Sequence, residues 1–215
     1  MSRCIALLGG SFDPVHNGHV ALGAHFAALL QVDELRVIPA LPWQKTALVA
    51  TPEQRVAMLQ QAFAGLPCKV VIDRQELDRG SATYTIETLR AIRADVGPDD
   101  SLCFLMGADQ LQRFHTWHDW QSLFGLAHFC VAARPGFELD AAHLSPAVAL
   151  EFQRRQAGPA ELHAQPSGLT YVDASLAVDV SATGIRAALQ RGKEPGSLVP
   201  GVVLDYIEQH NLYKN

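Results

Sequence analysis

The chain is 215 residues long, 48% apolar and 18% charged, with a formal net charge of -5 at pH 7. Those proportions suit a globular protein that buries a core without staples. The negative balance excludes a broad basic face for nucleic acid but leaves room for a local positive site suited to small anions.

The first apolar run, Cys4 to Leu8, ends at Gly9-Gly10, and it is too short for a secretory leader or a bilayer span. A reducing cytoplasm with no membrane association is therefore expected. Cys4, Cys68, Cys103 and Cys130 show no C-x-x-C spacing, and three of them fall in strand-like runs, where a thiol behaves as a small hydrophobe rather than a zinc or disulfide partner. After a polar loop, Val20, Gly23, Ala24, Ala27 and Leu30 recur at helical spacing.

Leu35 to Ile38 reads as the next strand. Thr51-Pro52-Glu53-Gln54 then supplies an N-cap threonine, a first-turn proline and a capping-box glutamine for a helix from Pro52 to Phe63. Val70 to Ile72, Leu102 to Met106 and Phe129 to Ala132 read as further strands, with a helix over Ile86 to Val96. From Gly136 to Gly168 the pattern weakens around Pro146, Pro159 and Pro166, with one helix expected near Val148 to Gln156, and 136–168 reads as a surface insertion. A last strand at Thr170 to Val172 precedes Ser181, expected to cap a helix running to Gln190 with Gly192 as its stop, and Pro200 opens a final helix. The alternation predicts one domain over 1–215, an α/β fold with a Rossmann-like, doubly wound, mainly parallel sheet and helices on both faces.

The sharpest chemical signal is G-G-S-F-D-P-V-H-N-G-H, from Gly9 to His19, set where a strand meets a helix start. Free amides and the helix dipole favour anions there, Gly9 and Gly10 admit close backbone approach, and Ser11 adds a hydroxyl. His16 and His19, three apart, converge if the helix begins between them. Taken alone, the glycines would also fit an ordinary turn. A histidine metal pair finds no acidic or cysteine partner at suitable spacing.

This run is similar to the (T/H)-x-G-H signature of nucleotidyltransferases, here His16-Asn17-Gly18-His19, and Val180-Ser181-Ala182-Thr183-Gly184-Ile185-Arg186 resembles the second signature, I-S-S-T-x-I-R. With Tyr84-Thr85, Gly107-Ala108-Asp109, Thr116-Trp117, Arg134-Pro135-Gly136 and Leu212-Tyr213, the chain looks like a bacterial nicotinate-nucleotide adenylyltransferase over nearly its whole length.

The resemblance implies ATP and nicotinate mononucleotide as substrates, with deamido-NAD and pyrophosphate as products. His16, His19, Lys45 and Arg186 are then the catalytic candidates. Gly9, Gly10, Ser11, Phe12, Gly107, Asp109, Arg134, Ser181, Thr183 and Ile185 join His16, His19 and Arg186 in holding ATP, so that 181–215 completes its site. Lys45, Tyr84, Thr85, Trp117 and His118 hold the mononucleotide, and Asp119 is the one acidic neighbour of Trp117 in the sequence. Magnesium is expected to come with ATP, with no metal site of the chain's own, and homo-oligomerisation stays open. Pro42-Trp43-Gln44-Lys45 departs from the family's P-P-H-K or P-P-H-R, and Gln44 carries neither proton nor charge. The same motifs would also serve phosphopantetheine or a choline- or glycerol-type phosphate, or a nucleotide-binding module without activity.

Overall fold

The computed structural model describes residues 2–41, 48–81, 83–133, 139, 144–176 and 181–214. The chain runs through β1 (Cys4–Gly10), α1 (Asn17–Leu29), β2 (Glu34–Pro39), α2 (Pro52–Phe63), β3 (Lys69–Ile72), α3 (Gln75–Asp78), α4 (Thr85–Val96), β4 (Ser101–Gly107), α5 (Ala108–Gln112) and α6 (Trp120–Leu123). It continues with β5 (His128–Ala132), α7 (Pro146–Arg154), α8 (Pro159–Ala164), β6 (Thr170–Asp173), α9 (Ala182–Gln190) and α10 (Gly201–Gln209). The strands pair in parallel in the order β3-β2-β1-β4-β5-β6. The direction of winding reverses between β1 and β4, which opens a crevice beyond their carboxyl ends.

Side chains alternate across a strand, so each face of this sheet collects its own core. Cys4, Ala6 and Leu8 of β1 join Cys103, Leu105 and Cys130 on one face, under Phe26, Leu59, Ile185 and Ile207. Ile5 and Leu7 join Leu102, Phe104, Phe129 and Val131 on the other, under Leu89, Phe114 and Phe152. Burial on both faces is why the strands read as unbroken apolar runs. Helix α1 lies close on the sheet because Gly23 has no side chain; a Cβ there would sit 3.0 Å from the Phe63 ring and 3.1 Å from Leu35.

Helix α2 occupies the predicted residues, and its capping box forms: Gln54 N donates to Thr51 Oγ1 at 3.2 Å and Thr51 N to Gln54 Oε1 at 2.9 Å. At α9, Ser181 takes the N-cap position, but its hydroxyl makes no capping bond, contrary to expectation. The described part of 136–168 also differs from a purely surface insertion. Val148, Ala149 and Phe152 of α7 are buried on one face of the sheet, and Leu162 of α8 is buried on the other. Between them Gln156 bridges to Thr170, so this segment wraps the edge strand β6.

Candidate active site

The loop after β1 turns sharply. Phe12 takes a left-handed backbone at φ 47 with its side chain buried, a conformation a bulky residue holds only where its surroundings enforce it. Its ring meets His19 edge-on at 4.8 Å between centroids. Helix α1 begins at Asn17 with His16 at the N-cap, and the His16 amide donates to His19 Nδ1 at 3.3 Å. The helix therefore starts between the two histidines, and their rings stack at 3.7 Å with an interplanar angle of 20°. His16 is only 6% exposed. Burial pushes its pKa down to about 4, and its Nδ1 has no hydrogen-bond partner among the described residues.

Two cavities meet over this loop. The larger, of about 540 Å³, lies at the β1/β4 reversal and is lined by Gly9, Gly10, Ser11, His16, Gly18, His19, Gly107, Asp109, Ser181, Thr183 and Arg186, among others. The smaller, of about 240 Å³, is lined by Thr85, Trp117, Glu76, Thr83 and Thr88, together with Ile38 and Phe104. Gly9, Gly10, Ser11 and Gln110 line both. At the end of β4, a Cβ on Gly107 would lie 2.7 Å from Asp109 Oδ1, so that position accepts no side chain while Asp109 keeps its place.

The loop is held from behind by Asp13, itself buried. Its Oδ1 accepts from Ala50 N at 3.0 Å and from the Tyr213 hydroxyl at 2.6 Å, and its Oδ2 accepts from Val49 N at 2.9 Å. Burial and the neighbouring Asp13 push the Tyr213 phenol up, so it keeps the proton it donates. Buried Arg55 donates through Nη1 to the carbonyls of Ser11 at 2.8 Å and Ala40 at 2.9 Å, tying the ends of β1 and β2 together. Arg186 Nη1 donates to the Asp13 carbonyl at 2.6 Å and Nη2 to Thr183 Oγ1 at 3.3 Å. His25 of α1 and Asp173 at the end of β6 approach to 2.8 Å, fixing the first helix against the strand that leads toward α9.

Both signatures thus converge on the larger cavity, and Thr85 and Trp117 share the smaller one. Trp117 also packs against Phe104 and Phe114, at 5.7 and 5.2 Å between centroids, so it has a core contact as well as a pocket face. Phe12 and Ile185 depart from expectation, because their side chains enter the core and line neither cavity. Tyr84 and His118 lie ring against ring at 4.7 Å, outside both linings. Lys45, Gln44 and Arg134 lie outside the described residues.

Sequence reasoning passes over Glu76, Gln110, Asp13 and Arg55. Arg55 had a signal, since it sits in the apolar stripe of α2 with Leu59 and Phe63. Glu76 had none, because the four residues of α3 carry no readable period. Asp119 is the one acidic neighbour of Trp117 in the sequence, but the structure adds Glu76 as an acidic group lining the Trp117 cavity.

A doubly wound sheet with an amide- and histidine-lined crevice at its reversal point is the architecture of a nucleotide-handling α/β protein. The model of the cytidylyltransferase-like family matches residues 7–188. A curated relative from Herminiimonas arsenicoxydans, named "Probable nicotinate-nucleotide adenylyltransferase", is 60% identical over 100% of this chain and 99% of its own length. One of the same name from Laribacter hongkongensis is 46% identical over 98% of this chain and 94% of its own. The chain belongs to the nicotinate-nucleotide adenylyltransferase family. The solved structure of Plasmodium falciparum nicotinic acid mononucleotide adenylyltransferase complexed with NaAD shares the fold, with a TM-score of 0.74 at 18% identity, covering 98% of this chain and 97% of that one.

Proposed function

We propose that this chain joins ATP to nicotinate mononucleotide, releasing pyrophosphate and nicotinate adenine dinucleotide. The observation that carries this reading is the pair of cavities sharing one backbone floor at Gly9, Gly10 and Ser11. ATP occupies the larger cavity, with Gly107 and Asp109 toward its ribose and Ser181, Thr183 and Arg186 toward its phosphates. The pyridine ring occupies the smaller one, between Trp117 and the start of α4 at Thr85. The mononucleotide phosphate and the α-phosphorus of ATP then meet over the shared floor.

The nucleophile is already an anion, so the reaction needs alignment and charge neutralisation rather than a strong base. The phosphate oxygen attacks the α-phosphorus in line, the bond to the β-phosphate oxygen breaks, and pyrophosphate leaves without a covalent enzyme intermediate. The amides at the start of α1 point toward the negative charge. His16, buried with an unpartnered ring nitrogen, gains from the polyphosphate the countercharge it lacks, and His19 stacks beside it. Arg186 presents its remaining N–H groups to the β- and γ-phosphates, and Lys45 is the further cation assigned to the mononucleotide phosphate. Tyr84 and His118 are assigned to the mononucleotide and Arg134 to ATP by the family resemblance alone, and Phe12 and Ile185 serve from the core by shaping the two motifs.

Mg²⁺ would come with ATP and would supply further charge neutralisation beside Asp109, the acidic side chain lining the larger cavity. Among the described residues no group of three or more His, Cys, Asp or Glu side chains is placed to hold it, although Asp109 faces the ATP cavity. We assign the reaction to the cytoplasm.

Nicotinate is preferred to nicotinamide because the first amides of α4 lack acceptors within their helix, and a ring carboxylate satisfies them. An amide turns its NH₂ toward those donors, at a cost of roughly 1–3 kcal/mol. Pyrophosphate release from ATP and Mg²⁺ with a panel of phosphorylated acceptors tests the whole reading. Nicotinate mononucleotide should give the highest kcat/KM; faster turnover with phosphopantetheine or a glycerol phosphate would redirect it.

A further inference from the structure

Glu76 belongs to neither sequence signature, yet it is 9% exposed and lines the same cavity as Thr85 and Trp117. Its Oε1 accepts the Thr88 hydroxyl and its Oε2 the Thr83 hydroxyl, both at 2.7 Å. Two oxygens that both accept are the pattern of an ionised carboxylate. Among the described residues no lysine, arginine or histidine pairs with it. Among the described residues its charge is hydrogen-bonded but not paired with a cation, and it sits beside a cavity walled by Ile38 and Phe104.

We propose that Glu76 is a specificity-determining residue that selects the positive charge of an N-glycosylated pyridinium ring. This inference rests on the reading that the smaller cavity holds the mononucleotide base. The ring of nicotinate mononucleotide is a zwitterion, cationic at the glycosylated nitrogen and anionic at the carboxylate. The cavity's α4 end offers amides and the positive pole of a twelve-residue helix to the carboxylate, Glu76 stands at that same end between Thr83 and Thr88 to pair with the ring cation, and Trp117 adds an indole that also attracts cations. A neutral ring of the same size and hydrogen-bonding groups, such as a dihydropyridine, gains the stacking but not the charge pairing. Because Thr83 and Thr88 hold both carboxylate oxygens, the charge is fixed in place rather than free to swing toward water.

The test separates ring charge from ring substituent. Nicotinamide mononucleotide and its 1,4-dihydro form carry the same amide and differ in the charge of the ring, and each is titrated as an inhibitor of nicotinate mononucleotide turnover. The wild-type chain should bind the pyridinium form at least about tenfold more tightly. Glu76→Gln should bring the two within about twofold, Glu76→Asp should retain the preference, and the KM for ATP should stay unchanged in both. Equal inhibition by the two forms in the wild type overturns the proposal, whether or not either variant folds. A folded Glu76→Gln chain that keeps the full preference overturns it as well. Failure of the wild type to release pyrophosphate from ATP and nicotinate mononucleotide would instead bring down the functional reading on which the proposal stands.

Discussion

His16 takes up a proton less readily in the folded chain than in the unfolded one, because burial lowers its pKa from 6.5 to about 4. Between those values the unfolded state binds more protons, so the ligand-free protein keeps this contribution in full above pH 6.5 and loses it as the pH falls toward 4. Urea unfolding from pH 7 to 4.5 should show wild type losing about 2–3 kcal/mol more than His16→Asn. Parallel slopes would mean that the imidazole is hydrated. At neutral pH the ring is uncharged until phosphate arrives, and His16→Ala or His19→Ala should lower kcat by about a hundredfold or more with nucleotide present. Arg186 has two of its nitrogens docked on Asp13 and Thr183, which points the guanidinium along the phosphate cavity. Arg186→Ala should raise the KM for ATP about tenfold or more and change that for the mononucleotide little. Equal rises in the two would mark a structural arginine. At this scale the two signatures were legible because glycine, histidine and hydroxyl residues stand close together in the chain. Asp13 and Glu76 were not, since what matters about them is who donates to them, and those donors come from Ala50, Tyr213, Thr83 and Thr88.

Where local signals reinforce one another, element bounds follow directly, as at α2, where threonine cap, proline and glutamine coincide with an apolar stripe. Helices α3, α5, α6 and α8 were not foreseen, because four to six residues give too little period to read and tertiary contacts decide them. The edge-wrapping path of α7 and α8 was hidden for a related reason. Its buried Phe152 and Leu162 serve opposite faces, which a single helical stripe cannot express. The segment after α10 is likewise more than a terminus. Tyr213 is buried, and its hydroxyl reaches the Asp13 carboxylate 200 residues away in sequence, so the last turn of the chain braces the loop that carries the histidines. Tyr213→Phe leaves that carboxylate short of a donor and should destabilise the fold by about 1–3 kcal/mol. The denaturation midpoint should fall and kcat with it, whereas an unchanged midpoint would show that the brace contributes nothing.

The sheet order β3-β2-β1-β4-β5-β6, with both faces covered, was implicit in strands and helices alternating along the whole chain. What alternation alone does not reveal is that the crevice at the reversal divides into two chambers, since that depends on where α3, α4 and α5 place Glu76, Thr85, Thr88 and Gln110. The common floor of those chambers has a kinetic consequence. On the proposed placement each substrate occupies one chamber, so the dinucleotide would lie across both and be gripped as a bivalent guest: when one half lets go, the other keeps it at high effective concentration. Avidity of this kind belongs to the product alone. The dinucleotide should therefore bind more tightly than either substrate and depart more slowly than it forms, and rapid mixing should reveal a burst of about one pyrophosphate per site before the steady rate sets in. A linear onset would mean that the halves release together and that chemistry sets the pace. If the burst appears, accumulated dinucleotide throttles its own synthesis by occupying the site, a brake that needs no second binding site.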